Sequence, residues 1–174
     1  GHTFRTEQYP EYKAGRQKTP GEFREQLPYF RVLLDAYGIK YYELLHYEAD
    51  DILGTLAKAA DPDDQVMILS GDKDLTQLAS NQVTVYITKK GVSELEPYTP
   101  SSIWDKYQLT PQQIIDLKGL MGDSSDNYPG IERVGEKTAL KLLHQFGTVE
   151  GLYQGLDQLK PSKMKENIIR DEAN

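Results

Sequence analysis

The chain has no cysteine. That removes disulfides, thiolate zinc sites and a cysteine nucleophile, and it suits a reducing compartment. No apolar run approaches the roughly 20 residues a membrane helix needs, and Gly1-His2-Thr3-Phe4-Arg5 has no apolar signal core. A membrane partner is therefore not expected, and the expected location is cytoplasmic. Histidine is scarce: His2, His46 and His144 stand far apart in sequence and lack metal-ligand spacing, so none is expected to hold a metal. The single tryptophan, Trp104, sits in a helix-like run and reads as packing rather than base stacking. Positive charge is short as well. A formal net charge of −7 argues at first against a nucleic-acid binder, because neutralising phosphates takes Lys and Arg. The distribution weakens that objection, since residues 1–40 carry seven basic against five acidic side chains. The acid excess lies further on, in clusters that bound cations can neutralise.

What is present is 174 residues, enough for one domain or two small ones sharing an interface. Residues 5–18 are polar, with Tyr9 and Tyr12 among basic side chains. If 12–16 is helical, Lys13 and Arg16 share a face and can grip one phosphate, with Tyr12 as a stacking surface. Composition alone reads the same segment as a solvated one. Thr19 as N-cap and Pro20 at the first position open a helix whose Phe23, Leu27, Phe30, Leu34 and Tyr37 form a core stripe, with Pro28 as a kink or break. A strand is expected over 39–45. A second helix follows, opened by His46 to Asp51, with Ile52, Leu53, Leu56 and Ala60 as its buried face. Val66-Met67-Ile68-Leu69 reads as a strand buried on both faces of a parallel sheet. It runs into Ser70-Gly71-Asp72-Lys73-Asp74 and a short helix, then a strand over 83–88 and a hairpin turn at Lys89-Lys90-Gly91 into 92–95.

This alternation is the signature of an α/β layer, with acidic residues at the carboxyl ends of strands where open sheets place their sites. After Pro97-Tyr98-Thr99-Pro100 strand signals stop, and helices are expected over 101–107, 110–121, 135–146 and 148–156. Residues 157–174 read as polar and helical or frayed. The division expected is 1–98, containing an arch region at 4–18, and 99–174.

Three acidic groups stand out: Glu48, Asp50 and Asp51; Asp72 and Asp74; Asp123 and Asp126. Packed together they repel, so convergence calls for divalent cations, and oxygen-only ligands suit Mg²⁺ or Mn²⁺ better than zinc. Taken singly, acids at a helix start are favoured by the macrodipole alone. Asp123 to Val134 is not an EF-hand, since Tyr128 replaces the needed Gly and Val134 the closing Glu. Asp72-Lys73-Asp74 at a strand end also resembles the aspartate pair of a small-molecule phosphatase, which leaves the helical half unexplained. Gly130 to Thr138 describes two helices joined by a tight loop; backbone N–H groups at the second start, with Lys137 and Thr138, suit a phosphate held without base reading. A plain packing corner is the alternative.

Four segments carry a resemblance: FRTEQYPEYKAGR (4–16), YEADDILGTLA (47–57), SGDKDLTQL (70–78) and GDSSDNYPGIERVGEKTA (122–139). In this order they resemble the 5′ nuclease domain family of bacterial DNA polymerase I, related to flap endonucleases and phage 5′ exonucleases. The resemblance implies a PIN-like three-layer α/β fold with a mostly parallel sheet and a C-terminal helix-hairpin-helix subdomain. It implies hydrolysis of DNA phosphodiesters at 5′ ends, flaps and nicks with two metal ions, and a polymerase linked in the same protein. Glu48, Asp50, Asp51, Asp72, Asp74, Asp123 and Asp126 become the implied metal ligands, and Lys13 and Arg16 the catalytic pair on the scissile phosphate. Arg5, Tyr12, Lys13, Arg16, Gly130, Gly135, Lys137 and Thr138 become the implied DNA contacts, with potassium at the hairpin. The family pattern also has an N-terminal strand ending in Asp and a further Asp before the Phe-Arg motif. This sequence starts at Gly1-His2-Thr3-Phe4, so a domain without its first strand is expected, with a DNA-binding module without turnover as the alternative to the nuclease. Arg133 stands where the hairpin often carries Gly, and a positive φ there costs energy.

Overall fold

A computed structural model describes residues 2–172; the outer ends of the two expected units, Gly1 and Asn174, fall outside them. The sheet is three-stranded, in the order β1 (Val66–Ser70), β2 (Val83–Lys90), β3 (Glu94–Tyr98). β1 and β2 are parallel, with Ile68 opposite Val85, while β2 and β3 form an antiparallel hairpin. Alternation decides the faces. Val83, Val85 and Ile87 point into the core and intervening residues do not, as a period of two requires.

Four helices flank this sheet along the chain: α1 (Phe4–Gln8), α2 (Gly21–Ala36) and α3 (Ala49–Ala59) before it and α4 (Pro100–Tyr107) after it. Thr99 caps α4 by accepting from Ser102 N, and Pro100 takes the first position, where its missing N–H is not needed. Then come α5 (Gln113–Met121), α6 (Glu136–Phe146), α7 (Val149–Gln154) and α8 (Lys163–Arg170). Ile114, Leu117 and Leu120 of α5, Ala139, Leu142 and Leu143 of α6, Leu152 and Ile168 form one core continuous with the sheet residues. The third and fourth helices of that group start on Ser/Thr side chains: Thr148 accepts from Gly151 N and Ser162 from Lys165 N.

Several expectations need correction. Helix α2 forms, but from Gly21 with Pro20 as N-cap, and Pro28 lies inside one unbroken helix. Its stripe is not core: Phe23, Leu27, Phe30 and Tyr37 are all exposed, and α2 buries no residue. The strand expected at 39–45 is not formed; the segment is irregular and Leu45 is 84% exposed. A strand is stabilised by ladder partners and not by its own composition, and β2 is the only described strand paired to β1. With its other edge open, β1 is covered on one face, leaving Met67 and Leu69 exposed. In α3 only Ala57 is buried, and Leu56 is exposed. The segment after Asp72 is a 3-10 turn, Lys73–Leu78. Trp104 is half-exposed.

Candidate functional site

The carboxyl end of β1 and the start of α3 face the loop after α5, and the space between is a cleft of about 440 Å³. All seven candidate carboxylates line it, with Arg5, Tyr12 and Lys118. Each acidic group is fixed by a local device. Glu48 is the N-cap of α3, and its N–H donates to Asp51 Oδ2 at 2.8 Å, so both carboxylates sit at the helix start where the dipole favours them. Asp72 caps the 3-10 turn by accepting from Asp74 N at 2.9 Å. Asp123 Oδ1 accepts from Ser125 N, Ser125 Oγ and Asp126 N at 2.7, 2.6 and 3.3 Å.

That last loop closes on glycines. Asp123 and Tyr128 exchange backbone bonds of 2.9 and 2.8 Å, and a Cβ on Gly122 would lie 2.3 Å from Gly130 N. Gly130, expected to touch DNA, is thus needed where two backbones cross. The other expected clamp residues stand apart from it: Gly135 is the N-cap of α6, while Lys137 and Thr138 occupy its first turn, Lys137 exposed. Arg133 has φ 64°, the strained left-handed conformation.

Four basic side chains reach into the acidic cleft. Arg5 grips Asp51 with two parallel bonds of 2.8 and 2.7 Å, the bidentate geometry that makes such pairs strong. Lys13 Nζ donates to Glu48 Oε2 at 2.7 Å, the same oxygen that Tyr12 OH reaches at 3.0 Å. Tyr12 also donates toward Asp126 Oδ2 at 3.2 Å, and Arg16 pairs with Asp126 Oδ1. Residues 12–15 form turns and Arg16 is irregular, rather than helix; Lys13 has φ 58° and its N–H donates to Asp126 O at 2.8 Å. Lys13 and Arg16 nevertheless meet at one carboxylate.

Lys118 was not singled out by the sequence. It lies in the last turn of α5 and pairs with Asp74 at 2.8 Å and Asp123 at 2.6 Å. A lysine one turn before a helix-ending Gly-Asp was the available signal. Burial works to lower the Lys118 pKa, but its two carboxylate partners outweigh it and push it up to about 12. The partners respond differently. Burial dominates at Asp74 and raises its pKa despite Lys118; at Asp123 burial is outweighed by Lys118 and the Ser125 donors, and its pKa falls well below the usual range. Asp50 is raised by burial and by neighbouring Asp72. Among the described residues neither Asp50 nor Asp72 has an ion pair, and no three of the seven carboxylates bring ligand oxygens within 4.8 Å of one another.

The Arg5–Asp51 pair gives a pH signature. Hydrogen bonding to Arg5 holds Asp51 below its ordinary value, so its stabilising contribution is present above about pH 4 and is lost as pH falls through the depressed folded value. Arg5→Met is expected to lower stability by about 1–3 kcal/mol at pH 7. That difference should shrink on acidification below about pH 4, where Asp51 protonates in the unfolded chain. Urea unfolding of both proteins from pH 3 to 7 checks it; a constant difference across that range contradicts the assignment.

Two family models cover the whole sequence: 5′-3′ exonuclease, N-terminal resolvase-like domain, over residues 1–108, and 5′-3′ exonuclease, C-terminal SAM fold, over 109–174. DNA polymerase I of Bacillus subtilis is 58% identical over 174 residues, which are 98% of this chain and 20% of that protein. That of Lactococcus lactis subsp. lactis is 57% identical over 97% of this chain, again 20% of the relative. The chain thus spans about a fifth of the length of the curated relatives it matches. Among solved structures, the T5 D15 protein co-crystallised with metal ions superposes with a TM-score of 0.76 at 27% identity, covering 99% of this chain and 68% of that one. The catalytic core of Rad2 shares the fold, with a TM-score of 0.57 at 17% identity over 98% of this chain and 54% of that one. Matched end to end by these two models, the chain belongs to the 5′-3′ exonuclease family.

Proposed function

We propose that this chain is the cutting part of a metal-dependent DNA nuclease that hydrolyses phosphodiesters at 5′ ends, flaps and nicks. The observation that carries the reading is the convergence of seven carboxylates from three separate segments on one cleft. The residues suit divalent ions. The ligand set is oxygen only, Asp50 and Asp72 crowd each other without an ion pair, and Lys118 puts a positive charge between Asp74 and Asp123. Mg²⁺ or Mn²⁺ matches such donors; that the similar T5 D15 protein was co-crystallised with metal ions supports metal dependence. Two ions held by these carboxylates would supply Lewis acidity to the phosphoryl oxygens and lower the pKa of the attacking water.

The chain's own part is charge placement. Lys13 and Arg16 rest on Glu48 and Asp126, and an incoming phosphate is a further anionic acceptor within their reach, so they orient it and stabilise its developing charge. Tyr12, wedged between the same two acids, fixes that pair's spacing. Arg5, already bidentate on Asp51, holds that carboxylate in place rather than contacting DNA. The start of α6 serves duplex placement, with Lys137 on a phosphate. Lys137→Ala is expected to weaken duplex binding uniformly across sequences and to reduce the salt slope by about 1, measured by fluorescence anisotropy at several salt concentrations. A potassium ion at the hairpin, as the resemblance implies, would meet Arg133 paired with Glu132 at 3.4 Å in that loop.

The strand-to-helix change at Tyr98–Thr99 is proposed as the division between catalytic and duplex-placing units. A covalently linked polymerase is the proposed partner, since the relatives are named DNA polymerase I. No helix among the described residues is long and apolar enough to cross a membrane, and a cytoplasmic site of work is proposed to go with the proposed action on DNA. A second reading, flap binding without turnover, is favoured by one observation: among the described residues no three of these carboxylates bring ligand oxygens within 4.8 Å of one another. Incubating the protein with labelled 5′-flap DNA, with and without Mg²⁺, decides between them. Short Mg²⁺-dependent products support the nuclease, and salt-sensitive binding with no product supports the alternative.

A further inference from the structure

Outside the acidic cleft, one other group of side chains converges. His2 and His46, 44 positions apart in sequence, stand on either side of Glu7. His2 Nδ1 is 3.6 Å and His46 Nδ1 3.8 Å from the same oxygen, Glu7 Oε1. All three ligand atoms lie within 4.8 Å of one another, and among the described residues no other set of three does so. The backbone holds the two segments together. Thr3 and His46 form a parallel bridge, and Phe4 N–H donates to His46 O at 3.1 Å. Glu7 lies one turn further along α1, so it projects toward the same end as His2. His46 has φ 68°, a conformation uncommon for a residue with a side chain, and this turn aims the imidazole at Glu7.

We propose that His2, Glu7 and His46 form a second metal site, for a first-row transition ion such as Zn²⁺, Ni²⁺ or Cu²⁺. Two imidazoles and one carboxylate are the donor set such ions favour, whereas Mg²⁺ selects oxygens. Ligands at about 2.0–2.1 Å around a tetrahedral ion stand about 3.3 Å apart; the two imidazoles stand 3.6 and 3.8 Å from Glu7 and within 4.8 Å of each other, and all three side chains are exposed and have room to close. Three protein ligands leave positions open to solvent. The ion would staple the beginning of α1 to the loop before α3, where Thr3 and Phe4 already meet His46 through the backbone, and so fix the segment that carries Tyr12 and Lys13 into the cleft.

The test is a Ni²⁺ titration by calorimetry in excess Mg²⁺, which occupies the acidic cleft. The proteins compared are the parent chain, His46→Asn, Glu7→Gln and the cleft variant Asp72→Asn/Asp123→Asn. Asn tolerates the positive φ at position 46, so that variant retains the local backbone. One ion per parent chain is expected. Loss of a direct ligand should weaken binding by at least the roughly tenfold to hundredfold that loss of an outer partner costs, while the cleft variant should bind as the parent does. Ni²⁺ should also raise the melting temperature of the parent, since it binds only the folded arrangement. Electron paramagnetic resonance of the Cu²⁺ form supplies a readout on the unmutated chain, where coupling to two imidazole nitrogens is expected. Unchanged affinity in His46→Asn or Glu7→Gln, loss of binding in the cleft variant, or a Cu²⁺ spectrum with fewer than two nitrogens overturns the site.

Discussion

Asp72→Asn and Asp123→Asn, introduced together, are expected to lower Mg²⁺-dependent cleavage of a 5′ flap by about 10³-fold or more, the size of several kcal/mol of lost charge stabilisation. The pair is chosen because Asn keeps what each side chain does for the fold. Asp72 accepts from Asp74 N through one oxygen, and an amide oxygen accepts as well. Asp123 accepts three donors through Oδ1, which Asn also provides; only the Oδ2 contact to Lys118 changes character. What disappears is two negative charges on opposite walls of the cleft. Binding of the flap should persist, because the proposed phosphate contacts at Lys13, Arg16 and Lys137 are untouched. Steady-state cleavage alongside anisotropy binding and urea unfolding separates these terms. Activity within about tenfold of the parent, in a protein of normal stability, means that the carboxylates do not carry the chemistry.

The acidic groups were legible in sequence because their positions depend on local rules. Glu48 and Asp51 share a capping box, Asp72 caps a turn directly after a strand, and Asp123 opens a loop whose Pro-Gly ending marks its close. The helical half was legible for the same reason: helix starts and stops are written in Thr, Ser, Pro and Gly. The rest depends on partners. The periodicity of Phe23, Leu27 and Phe30 identifies the helix they lie on but says nothing about what covers it, and all three are exposed. Ile39 to Leu45 has strand composition without a neighbouring strand to pair with, so composition misleads there. The pairing of Lys118 with Asp74 and the approach of His46 to Glu7 were hidden by distance along the chain, since each partner comes from another segment. Arg5 shows an intermediate case. Its motif was recognised, yet only the structure reveals that its guanidinium is held by Asp51.

Gly122→Ala is expected to destabilise the fold by about 4 kcal/mol, combining backbone strain with overpacking. Gly122 has φ 70° and ψ −179°, a region essentially reserved for glycine. The added Cβ would also lie 2.3 Å from Gly130 N and 2.6 Å from Tyr128 O. Both are backbone atoms, so no rotamer change relieves the contact. Gly130→Ala meets the same crossing from the other side, at 2.2 Å from Gly122 N, and should cost a comparable amount. Gly119 provides the contrast. It lies within α5, has open space around its Cβ position and is exposed, so Gly119→Ala should stabilise by about 0.5–1 kcal/mol through the lower entropy of the unfolded chain. Urea unfolding followed by far-UV circular dichroism reads both signs. The loop closed by this glycine pair carries Asp123 and Asp126, so cleavage should fall with Gly122→Ala even at temperatures where the variant is still folded. Equal effects at positions 119 and 122 would show that generic helix propensity, rather than the backbone crossing, governs this turn, and that the placement of Asp123 rests on something other than the glycines.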